Sequence, residues 1–199
     1  MVFKMIDLKE KIKPYMSEKR YNHTLSVAEE CARLAEMFKV DRDILTAAGY
    51  LHDITKEMPV EEQILLCKDN GVILDKSTLA SPKIIHSFSA PIIIKKDFAE
   101  YAKDDTLTAV RYHTTGRENM SIYEKLVYLA DYIEPTRKHE ECIELRKFFY
   151  EPSEDLHKKL DDTIFLSLKY TITDLLNRGK YIHPLTVKAY NYLLINKTH

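Results

Sequence analysis

Apolar side chains recur along almost the whole chain at intervals of about three to four residues, which is the period of helices and not of half-buried strands. Val27, Cys31, Leu34 and Phe38 form one such stripe. Ile44, Leu45, Ala48 and Leu51 form a second, with Asp41 placed to cap the start of its helix. Pro59 suits the first turn of a further helix, and Gly71, after Asn70, suits the position just past its end. Ser81-Pro82 predicts an N-cap followed by proline in the first helical turn, and Pro91 predicts a kink or break beyond it. Asp104 or Asp105 is expected to cap a helix that runs to His113, with Gly116 just past it. Ser121 and Glu124 have the spacing of a capping box, heading a helix that ends near Glu134-Pro135. Leu156, Leu160, Ile164, Leu168, Ile172 and Leu175 predict a long helix that stops at Gly179. Pro184 opens a last helix through Leu194. The mixed-charge stretch from Lys138 to Lys147 reads as solvated surface. There is no repeat, low-complexity tract or long linker.

Composition sharpens this picture. Only 4 of 199 residues are glycine, against a usual share of about 7%. Neither a G-x-G-x-x-G loop nor a Walker loop is present, so a bound nucleotide must be held without a glycine cradle. Hydrophobic residues make up 45% and charged residues 31%, with a net charge of −1. That balance offers no basic stripe for long nucleic acid. No apolar run reaches the roughly 18 residues of a membrane span. The segment from Met1 to Lys13 is amphipathic and lacks the apolar core of a signal peptide. Cys31, Cys67 and Cys142 are odd in number and widely spaced, which fits a reducing, cytoplasmic setting. The length supports one domain as the default.

The chemistry gathers on His23, adjacent His52 and Asp53, His86, His113 and Asp131. Each interval between them is long enough for one helix and its connection, so a bundle can bring all six together. His52 lies four residues after Ala48, His113 four after Ala109, and Asp131 four after Val127, so each continues an inward face. Taken singly, each histidine is more often a hydrogen-bonded core residue and each aspartate more often a cap or ion-pair partner. Six at once favour a metal, because an aspartate on an apolar face is costly unless paired or ligated. Imidazole with carboxylate and no thiolate suits iron, manganese, cobalt or nickel. Cys31 and Cys67 continue apolar runs and read as core thiols. His139, His157, His183 and His199 look peripheral, with His183 a cap or surface group before Pro184. From the residues alone, the reading stops at a helical metal site.

On these residues the chain resembles the HD-domain metal-dependent phosphohydrolases. Four segments together resemble the bacterial YqeK family: Arg20-Tyr21-Asn22-His23-Thr24, Leu51-His52-Asp53-Ile54-Thr55-Lys56, His113-Thr114-Thr115-Gly116 and Ala130-Asp131-Tyr132-Ile133-Glu134-Pro135-Thr136-Arg137. The likeness runs from about Met16 to Leu194. It implies an all-α, HD-domain helical bundle, one domain over 1–199, with a motif core at about 16–137 and C-terminal helices at about 154–195. It implies His23, His52, Asp53 and Asp131 as ligands of one metal, and His86 and His113 as the additional histidines of two-metal members. With Asp53 as a bridge, His86 and His113 would hold a second ion, or touch phosphate if one ion is present.

The resemblance further implies symmetrical hydrolysis of diadenosine tetraphosphate to two ADP, with iron as the metal. Asp53, Lys56, His86 and His113 are then the catalytic set. Contacts with substrate are expected from His23, Asp53, Lys56, His86, His113 and Arg137. Thr55, Thr115, Arg20 and Lys83 are weaker candidates for the same mouth, as is Arg117. The expected partner is a dinucleoside polyphosphate or another purine nucleotide. Three other readings remain open: a different HD-type nucleotide phosphohydrolase or phosphodiesterase, an HD-type oxygenase, and a nucleotide-sensing module. Glu154 to Leu194 carries no ligand candidate, and either closes the bundle over the site or supplies a face for a homodimer.

Overall fold

The computed structural model describes residues 2–197, so His199 lies outside the described residues. It consists of α1 (Val2–Ile12), α2 (Glu18–Phe38), α3 (Arg42–Leu51), α4 (Val60–Asp69), α5 (Lys76–Leu79), α6 (His86–Asp97), α7 (Asp104–Tyr112), α8 (Ile122–Ile133), α9 (Glu140–Tyr150), α10 (Leu156–Asn177) and α11 (Pro184–Lys197). Short 3-10 turns occupy Lys13–Tyr15, Pro82–Ile84 and Ala99–Tyr101. No strand occurs among the described residues. No helix among them is long and apolar enough to cross a membrane.

The helix ends follow local chemistry. The Asp41 carboxylate accepts from the N–H groups of Asp43 and Ile44 and starts α3. Ser121 and Glu124 complete the capping box of α8 in both directions. Gly71, Gly116 and Gly179 all adopt positive φ just past helix ends, where a side chain would be strained.

Two predicted starts differ. Ser81 makes no cap bond, and Pro82 opens a 3-10 turn instead of an α-helix. Lys103 occupies the N-cap position of α7 without a side-chain bond. Asp104 and Asp105 sit within the first turn, where their charge complements the helix dipole.

Pro91 does not break its helix; α6 runs through it. Proline removes only the bond from its own nitrogen to the Ser87 carbonyl. The neighbours Phe88, Ala90, Ile93 and Ile94 are all buried and hold the segment in place. Each such apolar burial is worth about 1.5–3 kcal/mol for a large side chain, enough to offset the missing bond.

α2, α3, α7 and α8 form the centre of the bundle, with α2 against α3 and α8, and α3 against α7 and α8. Val27, Cys31, Leu34, Leu45, Ala48, Leu51, Ala109, Leu126, Val127 and Ala130 are all fully buried there. α10 packs on α8, α9 and α11 and contributes Leu160, Ile164 and Leu168 to the same core. Gly49 allows α3 to lie directly on α2. A Cβ at this position would sit 2.8 Å from the Ala28 Cα and 3.0 Å from the Cys31 Sγ.

The stretch from Lys138 to Lys147 is solvated except at Cys142 and Leu145, which are buried, and Arg146. Arg146 turns inward and donates to the carbonyls of Ile133, Glu134 and Arg137. It thereby ties α9 to the end of α8.

Candidate metal centre

Six side chains from five elements converge at one end of this bundle. His23 projects from the second turn of α2. His52 and Asp53 follow the last residue of α3, His86 opens α6, His113 follows α7, and Asp131 lies in α8. Asp53 is the hub. Its Oδ1 lies 3.1 Å from His86 Nε2 and 3.5 Å from His113 Nε2. Its Oδ2 lies 3.4 Å from His52 Nε2 and 3.9 Å from His23 Nε2. Asp131 Oδ1 lies 3.1 Å from His23 Nε2 and 4.0 Å from His52 Nε2. Ligand atoms of His23, His52 and Asp131 all lie within 4.8 Å of one another, as do those of His52, Asp53 and His113.

The ring orientations fit a cation. His52 Nδ1 donates to the Gly49 carbonyl at 2.7 Å, and His113 Nδ1 donates to the Val110 carbonyl at 2.6 Å. His23 Nδ1 meets Glu134 Oε1 at 3.1 Å. In the neutral ring each bond puts the proton on Nδ1 and leaves the Nε2 lone pair facing inward, the usual arrangement of a ligating imidazole, and His23 reaches that state on losing its second proton. His23 Nε2, His52 Nε2 and Asp53 Oδ1 are buried and make no well-directed hydrogen bond, although their neighbours lie close. Three electron-rich atoms so placed are costly unless a cation joins them. An all-nitrogen-and-oxygen donor set suits a first-row divalent metal. The three cysteines are buried free thiols and belong to neither cluster.

The electrostatics agree. Burial would raise the Asp53 carboxyl, but the close imidazoles of His52, His113 and His86 hold it well below the carboxylate range. Burial likewise opposes ionisation of Asp131, and the Arg137 charge and His23 overcome it. Both carboxylates are therefore anionic. Burial pulls His86 down to about 4 and lowers His113, so these imidazoles are neutral and free to ligate. His23 resists its own burial through hydrogen bonds to Asp131 and Glu134, and is pushed up to about 9.

Basic groups ring the cluster. Arg20 Nη1 lies 2.7 Å from Asp53 Oδ2, and Arg137 Nη2 lies 2.5 Å from Asp131 Oδ1. Lys56 Nζ sits 3.2 Å from His86 Nε2 and 3.4 Å from the Lys83 carbonyl. Burial lowers its pKa. The hydroxyls of Thr55 and Thr115 are not brought to the mouth. Both residues are buried, and they bond to the carbonyls of His86 and Gly116. Arg117 forms a two-pronged bond to Glu124 and is engaged at the start of α8.

A cleft opens beside the cluster in two arms. One, of about 440 Å³, is lined by His113, Asp131, Tyr132, Arg137 and Tyr170. The other, of about 410 Å³, is lined by Lys83, Ile84, Lys180, Tyr181 and His183. Thr114, Thr171, Leu175 and Arg178 line both. The C-terminal region thus closes over the site through α10. His139 also lines the first arm, although its position in the sequence looked peripheral. His183 is a buried cap: its Nδ1 accepts from the Leu185 N–H. His157 is exposed and stands edge-on against Phe38.

Glu134 is the residue that sequence reasoning passed over. It is fully buried, faces His23, and accepts from the Thr136 N–H and hydroxyl at 2.6 Å. The available signal was an acidic residue directly before the helix-ending Pro135.

Comparison with known proteins matches residues 20–136 to the HD domain family. The chain is 32% identical to "Bis(5'-nucleosyl)-tetraphosphatase, symmetrical" of Halalkalibacterium halodurans, over 94% of this chain and 95% of that protein. The protein of the same name from Bacillus subtilis is also 32% identical, over 92% and 94%. A crystal structure of a "predicted HD superfamily hydrolase involved in NAD metabolism" from Clostridium acetobutylicum superposes with a TM-score of 0.86. It is 32% identical, over 96% of this chain and 97% of that one. Fold, ligand cluster and these relatives agree: the chain belongs to the HD-domain family, in the YqeK-type branch that holds the symmetrical tetraphosphatases.

Proposed function

We propose that the protein hydrolyses diadenosine tetraphosphate at its central anhydride, adding one water and releasing two ADP, with iron as the metal and manganese, cobalt or nickel as substitutes. The observation that carries this reading is the convergence of His23, His52, Asp53 and Asp131 behind a cleft that Asp131 and His113 line. A substrate with a nucleoside at each end suits a cleft whose first arm reaches His113 and Asp131 and whose second continues from it past Thr114 and Arg178. The relatives of matching length bear the name of this activity.

His23, His52, Asp53 and Asp131 would hold one ion, and Asp53, His86 and His113 a second. Bound there, the metal would supply Lewis acidity toward phosphate and a water acidic enough to ionise near neutral pH. The chain's own groups do the rest. Lys56, whose Nζ stands against His86, binds a non-bridging phosphate oxygen. Arg20 and Arg137 now pair with the carboxylates of Asp53 and Asp131. With those carboxylates committed to metal, both guanidiniums are available for phosphate, and the planar fork of Arg137 suits bidentate contact. Lys83 reaches the second arm. The departing ADP ends in an acidic phosphate, so no protein group is needed to protonate it. Tyr132 and Tyr170 offer ring faces in the first arm, and Tyr181 offers one in the second.

The test is product analysis with diadenosine tetraphosphate and iron(II) or manganese(II). ADP as the sole nucleotide product is expected. Equal AMP and ATP, or no turnover with either metal, contradicts the reading.

A further inference from the structure

A second cationic cavity lies on the outer side of α6 and α7, about 590 Å³ in volume. That size falls within the range of about 300–1,000 Å³ common to small-molecule sites. Arg111, Lys95 and Lys96 line it together with Val72, Pro91 and Leu107. It shares no lining residue with either arm of the cleft.

Arg111 is the anomaly. Its guanidinium carbon Cζ sits over the Phe88 ring, 3.2 Å from the centroid, and 4.9 Å from the centroid of Tyr112. Its Nη1 is buried without a hydrogen-bond partner. Among the described residues no carboxylate pairs with it, nor with Lys95 or Lys96. Asp75, the carboxylate that acts on it from a distance, is engaged by the Thr78 N–H at the start of α5. Burial pulls Arg111 down to about 10. A buried guanidinium normally has an anionic partner, because leaving its donors unmet is expensive. Stacking on an aromatic face fixes its plane and presents the remaining donors edge-on, the geometry suited to phosphate.

We infer that this cavity binds a small phosphorylated molecule, its phosphate between Arg111, Lys95 and Lys96 and its apolar body against Val72, Pro91 and Leu107. Three cations without an ion-pair partner favour a dianion, and the apolar wall distinguishes the site from a surface that merely collects ions. It is separate from the metal centre and stands whether or not the proposed reaction is correct.

The test uses metal-loaded protein and phenyl phosphate as the probe. Chemical acetylation of Lys95 and Lys96, read by mass spectrometry, is expected to slow saturably in wild type. The probe concentration needed should rise at least about tenfold in Arg111→Met, the equivalent of ~1.4 kcal/mol of lost binding. Titration calorimetry should also find one phenyl phosphate site fewer in the Lys95→Ala/Lys96→Ala double variant, which decides the matter if Arg111→Met fails to fold. Absence of protection in wild type, equal protection in Arg111→Met, or an unchanged site count in the double variant overturns the inference. Phenol protecting as well as phenyl phosphate would overturn the role of the phosphate. Inorganic phosphate protecting equally well would overturn the role of the apolar body.

Discussion

Glu134 Oε1 lies 3.1 Å from His23 Nδ1, across 111 residues of sequence. This contact orients, from behind, an imidazole proposed to hold the metal. Glu134→Gln keeps the shape but replaces the charged acceptor with an amide. Removing such a partner typically costs about ten- to a hundredfold in metal affinity. Competition with a coloured chelator should show a loss in that range, with the helical circular dichroism unchanged. Wild-type affinity would mean that His23 needs no orienting group.

Lys56 is placed to meet phosphate and to hold no metal. Lys56→Met retains most of the buried stem and removes the charge. By analogy with the loss of a single donor aimed at developing charge, kcat should fall by about 10²-fold. Metal content per chain should stay at the wild-type value. A variant that loses metal along with activity would move Lys56 into the support of the ligands.

Gly49 sets the spacing of α2 and α3, and its carbonyl also receives His52 Nδ1. Gly49→Ala places a methyl group against the backbone of Ala28, which cannot give way as a flexible side chain would. Overpacking of this kind costs about 1–3 kcal/mol, and a lowered midpoint in urea should show it. Metal affinity should fall as well, because His52 rides on the same turn.

The metal-free protein should have a stability maximum near pH 6.5. His86 is depressed from 6.5 to about 4, so between those values the unfolded chain binds the extra proton and stability rises with pH. His23 is raised from 6.5 to about 9, so its contribution is fully present below 6.5 and is lost as pH rises through 9. Urea unfolding in a chelator across this span should trace both limbs. Metal binding requires neutral His23, so affinity for the ion should rise from pH 7 toward pH 9 and then level off. Affinity that is flat over that interval would contradict the pairing of His23 with Asp131 and Glu134.

The helices and the convergence of the six His and Asp side chains are legible in the sequence because their signals are local. Asp41, Ser121 with Glu124, and the three positive-φ glycines mark helix ends within one turn of themselves. The ligands announced themselves as polar residues on inward faces. The roles of Gly49 and Glu134 were not legible, because each depends on a residue from a distant segment. The fates of Thr55 and Arg117 were hidden for a related reason. Thr55 lies two residues after Asp53 and Arg117 four after His113, yet their side chains bond to the His86 carbonyl and to Glu124. Pro91 misled because its local cost is real and the packing of Phe88, Ala90, Ile93 and Ile94 outweighs it.

The central claim is that one cluster, with Asp53 at its hub, both holds the metal and carries the hydrolysis. Metal content and ADP release from diadenosine tetraphosphate should therefore be measured on the same preparations of wild type and Asp53→Ala. Wild type should carry iron, or added manganese, and release ADP alone. Asp53→Ala should lose at least one ion per chain, with ADP release reduced by about 10³-fold or more, since water activation and charge neutralisation fail together. An Asp53→Ala protein that keeps its full metal content and hydrolyses at the wild-type rate would contradict the account.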